Sequence, residues 1–357
     1  MNLKLTLAAM SLYSTITSSQ GHEFCTTCPE GHGPISVMGD HMHKSGETMF
    51  SYRFMTMDMD GMRSGTNGVS SDEVFAANYT VTPTSMTMDM HMFGIMHAPN
   101  DKVTLMGMLP YTESEMDHLI FGMAAPLIAL NDDSRIFTTR SSGWGDFKLS
   151  ALVDLFKQDN QRAHYTIGLS APTGSIDEQD IIPGPGGRIL RQMPAPMQTS
   201  SGTWDLLAGL TYLLQTEGMS YGAQASAKIR LEDENDNGYR LGNEITLLAW
   251  AARNINKNIS LSSKIEYNRK GSLHGQQAGI SLNPPFAPSR MTVPTAFSTN
   301  YGGDRADLGL GLNYIFTEGP LTDNRLALEL EYPLYQDLNG YQLETDLTVT
   351  AGWQLAW

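Results

Sequence analysis

The chain has 357 residues, 41% of them hydrophobic, with a mean hydropathy of −0.25 and 23 basic against 38 acidic side chains. A formal charge of −15 argues against a nucleic-acid partner, because binding phosphates takes a basic surface. After the first residues no stretch approaches the about 20 continuous apolar residues of a spanning helix, which excludes a helical membrane protein.

Residues 1–21 read as a secretory signal: Lys4 supplies the charge, residues 5–16 a short apolar core, and residues 17–21 a polar exit. Residues 22–46 form a leader that carries His22, Cys25-x-x-Cys28, His32, His41, Met42 and His43. Two cysteines in an exported protein most often pair with each other, while C-x-x-C near histidines also suits metal capture. Both readings stay open, and the leader is expected to be a periplasmic tail or a plug at the mouth of the domain that follows.

From residue 47 onward, twelve segments of about 10–14 residues alternate in character: 47–59, 86–97, 101–111, 143–156, 161–172, 203–216, 219–232, 242–254, 258–270, 303–316, 324–336 and 344–357. Period-two alternation marks strands with two unlike faces, and each segment reaches the about 9–11 residues a tilted transmembrane strand needs. Short connections at 98–101, 158–160, 217–218, 256–258 and 319–322 alternate with longer ones at 60–85, 112–142, 173–202, 233–241, 271–302 and 337–343. That layout predicts an all-β fold over 47–357: a transmembrane antiparallel up-and-down β-barrel of about 12 strands in the Gram-negative outer membrane, both termini periplasmic. The last segment sets Leu347, Val349, Ala351, Trp353, Leu355 and Trp357 on one face. A final strand ending on an aromatic resembles the closing strand of outer-membrane barrels, where the assembly machinery reads that end. Membrane lipid and that machinery are the implied partners.

A charge on the lipid face near the midplane costs about 2–4 kcal/mol. Arg53, Lys228, Arg230, Lys264, Glu266, Glu329 and Glu331 are therefore expected to point into the lumen. Sixteen of the 22 methionines lie between Met38 and Met123. On the first segment Phe50, Tyr52 and Phe54 take the lipid face and leave Met55, Met57 and Met59 inside. On the third, Val103, Leu105 and Leu109 leave Met106 and Met108 inside. The second is ambiguous, because the face opposite its methionines carries Asp89 and His91 and then Phe93 and Ile95. Thioethers are soft apolar groups that can line a path for apolar solutes. Clustered with imidazole they also suit Cu(I), and the candidate ligands are His22, Cys25, Cys28, His32, His41, Met42, His43, Met88, Met90 and His91. No other cofactor is implied.

The segments Met38-Gly-Asp-His-Met-His-Lys-Ser-Gly-Glu-Thr-Met-Phe-Ser-Tyr-Arg-Phe-Met-Thr-Met-Asp-Met-Asp-Gly61, Met86-Thr-Met-Asp-Met-His-Met92, Thr104-Leu-Met-Gly-Met-Leu-Pro-Tyr111, Ser141-Ser-Gly-Trp-Gly-Asp146, Leu169-Ser-Ala-Pro-Thr-Gly-Ser175 and Tyr335-Gln-Asp-Leu-Asn-Gly-Tyr-Gln-Leu-Glu344 resemble the transporter-like barrels related to the "meta-pathway of phenol degradation" family. The resemblance runs through nearly the whole mature chain. It implies passage of small aromatic compounds across the outer membrane, and its Met/His-rich subgroup implies heavy-metal handling.

Enzymes on such barrels need a nucleophile beside a base. His164 and Ser170 offer the nearest such pairing, yet they lie about 20 Å apart along one strand. The chain therefore reads as a channel and not an enzyme. It gives small, apolar or aromatic solutes passive passage through a narrow, Met-lined lumen, with soft-metal binding as the alternative.

Overall fold

The computed structural model describes Cys25, residues 28–184 and residues 187–357; the expected signal segment and His22 lie outside the described residues. Eleven strands join antiparallel into a closed ring: β1 Thr48–Gly65, β2 Val81–Asn100, β3 Val103–Ile120, β4 Phe147–Gln158, β5 Gln161–Ala171, β6 Asp205–Thr216, β7 Met219–Arg230, β8 Glu244–Asn254, β9 Ile259–Lys270, β10 Gly303–Ile315 and β11 Asn324–Ala356. The 33 residues of β11 fold back on themselves. The first part pairs with β10 and the second with β1. Gly340 takes a φ of +63° at the bend, and Arg325 Nη1 reaches Gln354 Oε1 at 2.7 Å across the hairpin. Ten single strands and this doubled one give twelve staves. Closure matters because a strand edge left unpaired in hydrocarbon would leave its backbone polar groups unsatisfied. Among the described residues no helix is long and apolar enough to cross a membrane.

The short turns 101–102, 159–160, 217–218, 255–258 and 316–323 share one end of the ring with Thr48 and Trp357. Those two residues exchange backbone hydrogen bonds of 2.9 Å. Loops 66–80, 121–146, 172–204, 231–243 and 271–302 cover the other end. They carry the hairpin Gln179–Gly184/Gly187–Gln192, and Ile136–Trp144 pairs with the outer part of β3.

Around the ring Ile95, Leu105, Leu149, Ile167, Leu210, Leu247, Leu261, Leu310 and Leu328 all point outward and exposed. An unbroken apolar belt of this kind fits a bilayer and not water. Strands β1, β2 and β3 are longer than the alternation suggested, at 18, 20 and 18 residues. Their outer face turns polar at Asp58, Asp89 and Glu113, and below that line sit Tyr52, His91, Phe93, Tyr111 and Trp144 in contact with one another. These strands project beyond the apolar belt. The ambiguity of β2 follows from this: its side-chain parity never changes, but its outer surroundings do.

Candidate functional site

The leader does not hang free; it enters the ring at the short-turn end and turns back inside it. On the way in, Pro29 O accepts from Ser260 Oγ at 2.8 Å, Gly33 O from Arg325 Nη2 at 2.7 Å and Ile35 O from Arg53 Nε at 2.8 Å. At the tip Ser36 N donates to Glu329 Oε2 at 2.9 Å. On the way out Met38 O accepts from Gln224 Nε2 at 3.0 Å, Gly39 O meets His164 Nε2 at 2.9 Å, and His43 N donates to Thr104 Oγ1 at 3.1 Å. A Gly/Pro-rich segment makes no ladder of its own, so once buried its peptide groups need side-chain partners. Inward-facing residues of the strands provide them. Trp250 packs on Val37 and Leu213, and Gly222 leaves room for its ring: a Cβ there would lie 2.1 Å from the indole.

Inside the plug, Asp40 Oδ2 accepts from Gly33 N at 2.8 Å while Oδ1 lies 2.9 Å from His41 Nδ1. Burial, reinforced by the nearby Arg325 charge, pushes His32 well below the ordinary histidine value. Burial and the His41 charge bring His43 down to about 4. Burial would raise Asp40, but His41 and Arg325 outweigh it and hold this carboxyl well below the usual range.

Two unlike walls face each other across the lumen. One is charged and self-compensating. Lys264 Nζ lies 3.2 Å from Glu266, 3.2 Å from Glu329 and 2.9 Å from Glu331. Lys228 meets Glu244 at 3.2 Å, and Arg230 pairs with Asp205. The other wall is thioether. Strand register sets Met55 opposite Met90, Met57 opposite Met88 and Met59 opposite Met86. It also sets Met86 opposite Met116 and Met96 opposite Met106. At the plug this wall ends in a cluster of Met49, Met96, Met106, Met108 and Leu152 with Met38 and Met42 of the leader. At the long-loop end it ends in Met86, Met116, Met193 and Met197.

Above that second cluster the loops and the end of β3 form a half-open cavity of about 400 Å³, lined by Met116, His118, Phe137, Ile182, Met197 and Phe286 among others. The His118 ring stacks on Phe137 at 4.7 Å and 6°. Asp146 ties the loop that brings Met193 and Met197 over the lumen, accepting from Ser201 N at 3.0 Å and Ser201 Oγ at 2.9 Å. It therefore anchors a loop over the lumen.

The structure turns Arg53, Met55, Met57, Met59, Met106, Met108, Lys228, Arg230, Lys264, Glu266, Glu329 and Glu331 to the inside of the ring. They do not form one lining: Arg53, Met106, Met108, Lys264 and Glu329 lie against the plug, and the rest above it. Three metal assignments need correction. His91 points outward, its Nδ1 2.8 Å from Tyr52 Oη, because its odd position on β2 opposes the even Met88 and Met90. Cys25 and Cys28 are bonded to each other, which leaves neither as a thiolate ligand. His32, His41 and His43 do come together, their rings 4.8 and 5.0 Å apart in sequence, while Met42 joins the thioether cluster. Sequence reasoning missed Asp40, Trp250, Arg325 and the cavity residues His118, Phe137, Met193 and Met197. The period-two pattern did offer a signal for Trp250, which shares its face with Leu248 and Ala252 opposite Ile245 and Leu247.

No protein-family model and no curated protein matches the chain. Among solved structures, an outer membrane channel from Pseudomonas putida F1 superposes with a TM-score of 0.58 at 15% identity, over 89% of this chain and 98% of that one. The Pseudomonas putida toluene transporter TodX gives 0.41 at 9% identity over 94% and 98%. The β domain of the Bordetella autotransporter BrkA gives 0.42 at 9% over 88% and 100%. The first match establishes the fold, that of an outer-membrane barrel.

Proposed function

We propose that the protein is an outer-membrane channel giving small apolar solutes, aromatic compounds among them, passive passage along its methionine wall. The observation that carries this reading is the continuity of the mouth cavity with that wall: Met116 and Met197 belong to both. A cavity of about 400 Å³ lies within the range of small-molecule sites, which bury an apolar body and fix it with few polar groups. Thioethers slide past one another at low cost, so a solute handed from Met116 to Met86, Met57 and Met55 meets no fixed polar trap. In this reading the loop end faces outside, the short-turn end faces the periplasm, and the plug sets the rate of exit. Trp357 at the ring seam is where the assembly machinery would engage the chain. The soft-metal alternative has less support, since Met88 and Met90 stand on one face of β2 and His91 on the other.

The experiment is uptake of labelled toluene into liposomes holding the purified full chain, read as the excess over protein-free liposomes, against a small sugar of similar mass read the same way. Faster toluene entry that falls about tenfold in Met116→Glu supports the proposal. Equal entry of both solutes, or toluene entry indifferent to Met116→Glu, overturns it.

A further inference from the structure

A second site lies in the plug, and it does not depend on what the pore passes. His32 sits on the entering arm of the leader, Asp40 and His41 on the returning arm. One ligand-capable atom from each falls within 4.8 Å of the others, and all three side chains are buried. His32 Nδ1 has no hydrogen-bond partner among the described residues. A buried imidazole nitrogen left in that state is costly, unless something occupies the space it faces. The rest of the arrangement fixes the donors. Asp40 is oriented by Gly33 N through its other oxygen, and the Gly33 carbonyl is held in turn by Arg325 Nη2 at 2.7 Å. A Cβ at Gly33 would press at 3.2 Å on both Asp40 and Trp250, so a side chain there would crowd the carboxylate.

We propose that His32, Asp40 and His41 form a binding site for one divalent transition-metal ion, which clasps the two arms of the plug at their base. Two imidazoles and one carboxylate suit Zn(II), Cu(II) or Ni(II); the set holds no thiolate or thioether, and so is not the soft Cu(I) site that the methionines suggested. Metal–ligand bonds of about 2.0–2.2 Å put neighbouring donors roughly 3.4 Å apart, a closure within reach of side-chain rotation from the observed spacing. The residues between the arms, Ile35, Ser36 and Val37, are the ones that reach across the lumen to Arg53, Glu329 and Trp250. An ion at the base of that loop would hold the obstruction in shape.

The test uses the purified full chain in detergent, loaded with Co²⁺ as spectroscopic probe and with Zn²⁺ for metal counting after desalting. One ion per chain with an absorption band of low-coordinate Co²⁺ is expected. His32→Gln and His41→Gln should each weaken Co²⁺ binding about tenfold or more, with the barrel's heat-modifiable migration unchanged. Should either fail to fold, Asp40→Asn, equal in size, reads the same site. His22→Gln and His91→Gln should bind as the parent does. No ion retained by the parent, binding that survives both plug histidine substitutions, or binding that follows His22 instead overturns the proposal.

Discussion

Replacing Lys264 with methionine tests how the plug is anchored. Its ammonium serves Glu266, Glu329 and Glu331 within 3.2 Å, with side chains 1% exposed at Lys264 and 0% at Glu329. Glu266 and Glu331 keep 18% and 11% exposure and can turn to water. Glu329 cannot, and it also receives Ser36 N at the plug tip. Breaking a buried ion pair by removing one partner costs about 3–5 kcal/mol, because the charge left behind is uncompensated. An unfolding entropy near 2.1 cal/mol/K per residue over 357 residues is about 750 cal/mol/K, so the thermal midpoint should fall by about 4–7 °C. The plug tip should loosen with it, seen as raised and unsteady single-channel conductance in a planar bilayer. Adding Glu329→Gln removes the stranded charge while keeping an acceptor for Ser36, and the double variant should recover at least half of the lost stability. Unchanged midpoint and conductance in Lys264→Met, or a double variant no better than the single, refutes the reasoning.

Gly222→Val forces a branched side chain into the Trp250 ring and should cost about 1–3 kcal/mol, read as a lower thermal midpoint together with higher conductance as Val37 is displaced. Cys25→Ser with Cys28→Ser opens a bridge between residues only 3 apart, so stability should change by about 2 kcal/mol at most and the ring should still migrate as a folded barrel. His91→Ala should leave toluene uptake into liposomes at the parent rate, since that ring faces outward among Tyr52, Phe54 and Tyr111. A large loss of uptake would mean the solute leaves or enters through the wall.

The ring was legible because alternation is a local property. Each strand carries its two environments in its own residues, and Leu261 against Ser262, or Leu328 against Glu329, announces which face is which. The same logic turned Met55, Met57 and Met59 inward. It failed on β2, where the outer face leaves the apolar belt between His91 and Asp89 and period two carries no signal for height. It could not reach the plug's partners either. Whether Arg53 or Lys264 meets water or a peptide carbonyl depends on a segment with no periodicity, held by contacts as distant as Ser36 to Glu329. The mouth cavity is harder still, since it draws its lining from three loops far apart in the sequence, 121–146, 172–204 and 271–302.

The hairpin Asn324–Ala356 does two jobs at once. Ser36 to Glu329 and Gly33 to Arg325 span 293 and 292 residues, and β1 finds its second neighbour only in that same hairpin. Without that hairpin the sheet would be an open trough with both flanks unpaired, although the leader's contacts with His164, Gln224 and Lys264 lie outside it. The same hairpin therefore holds both the plug and the seam of the ring. A chain truncated before Asn324 would lack both the lock on the plug and the lock on the ring, so the two should be lost together.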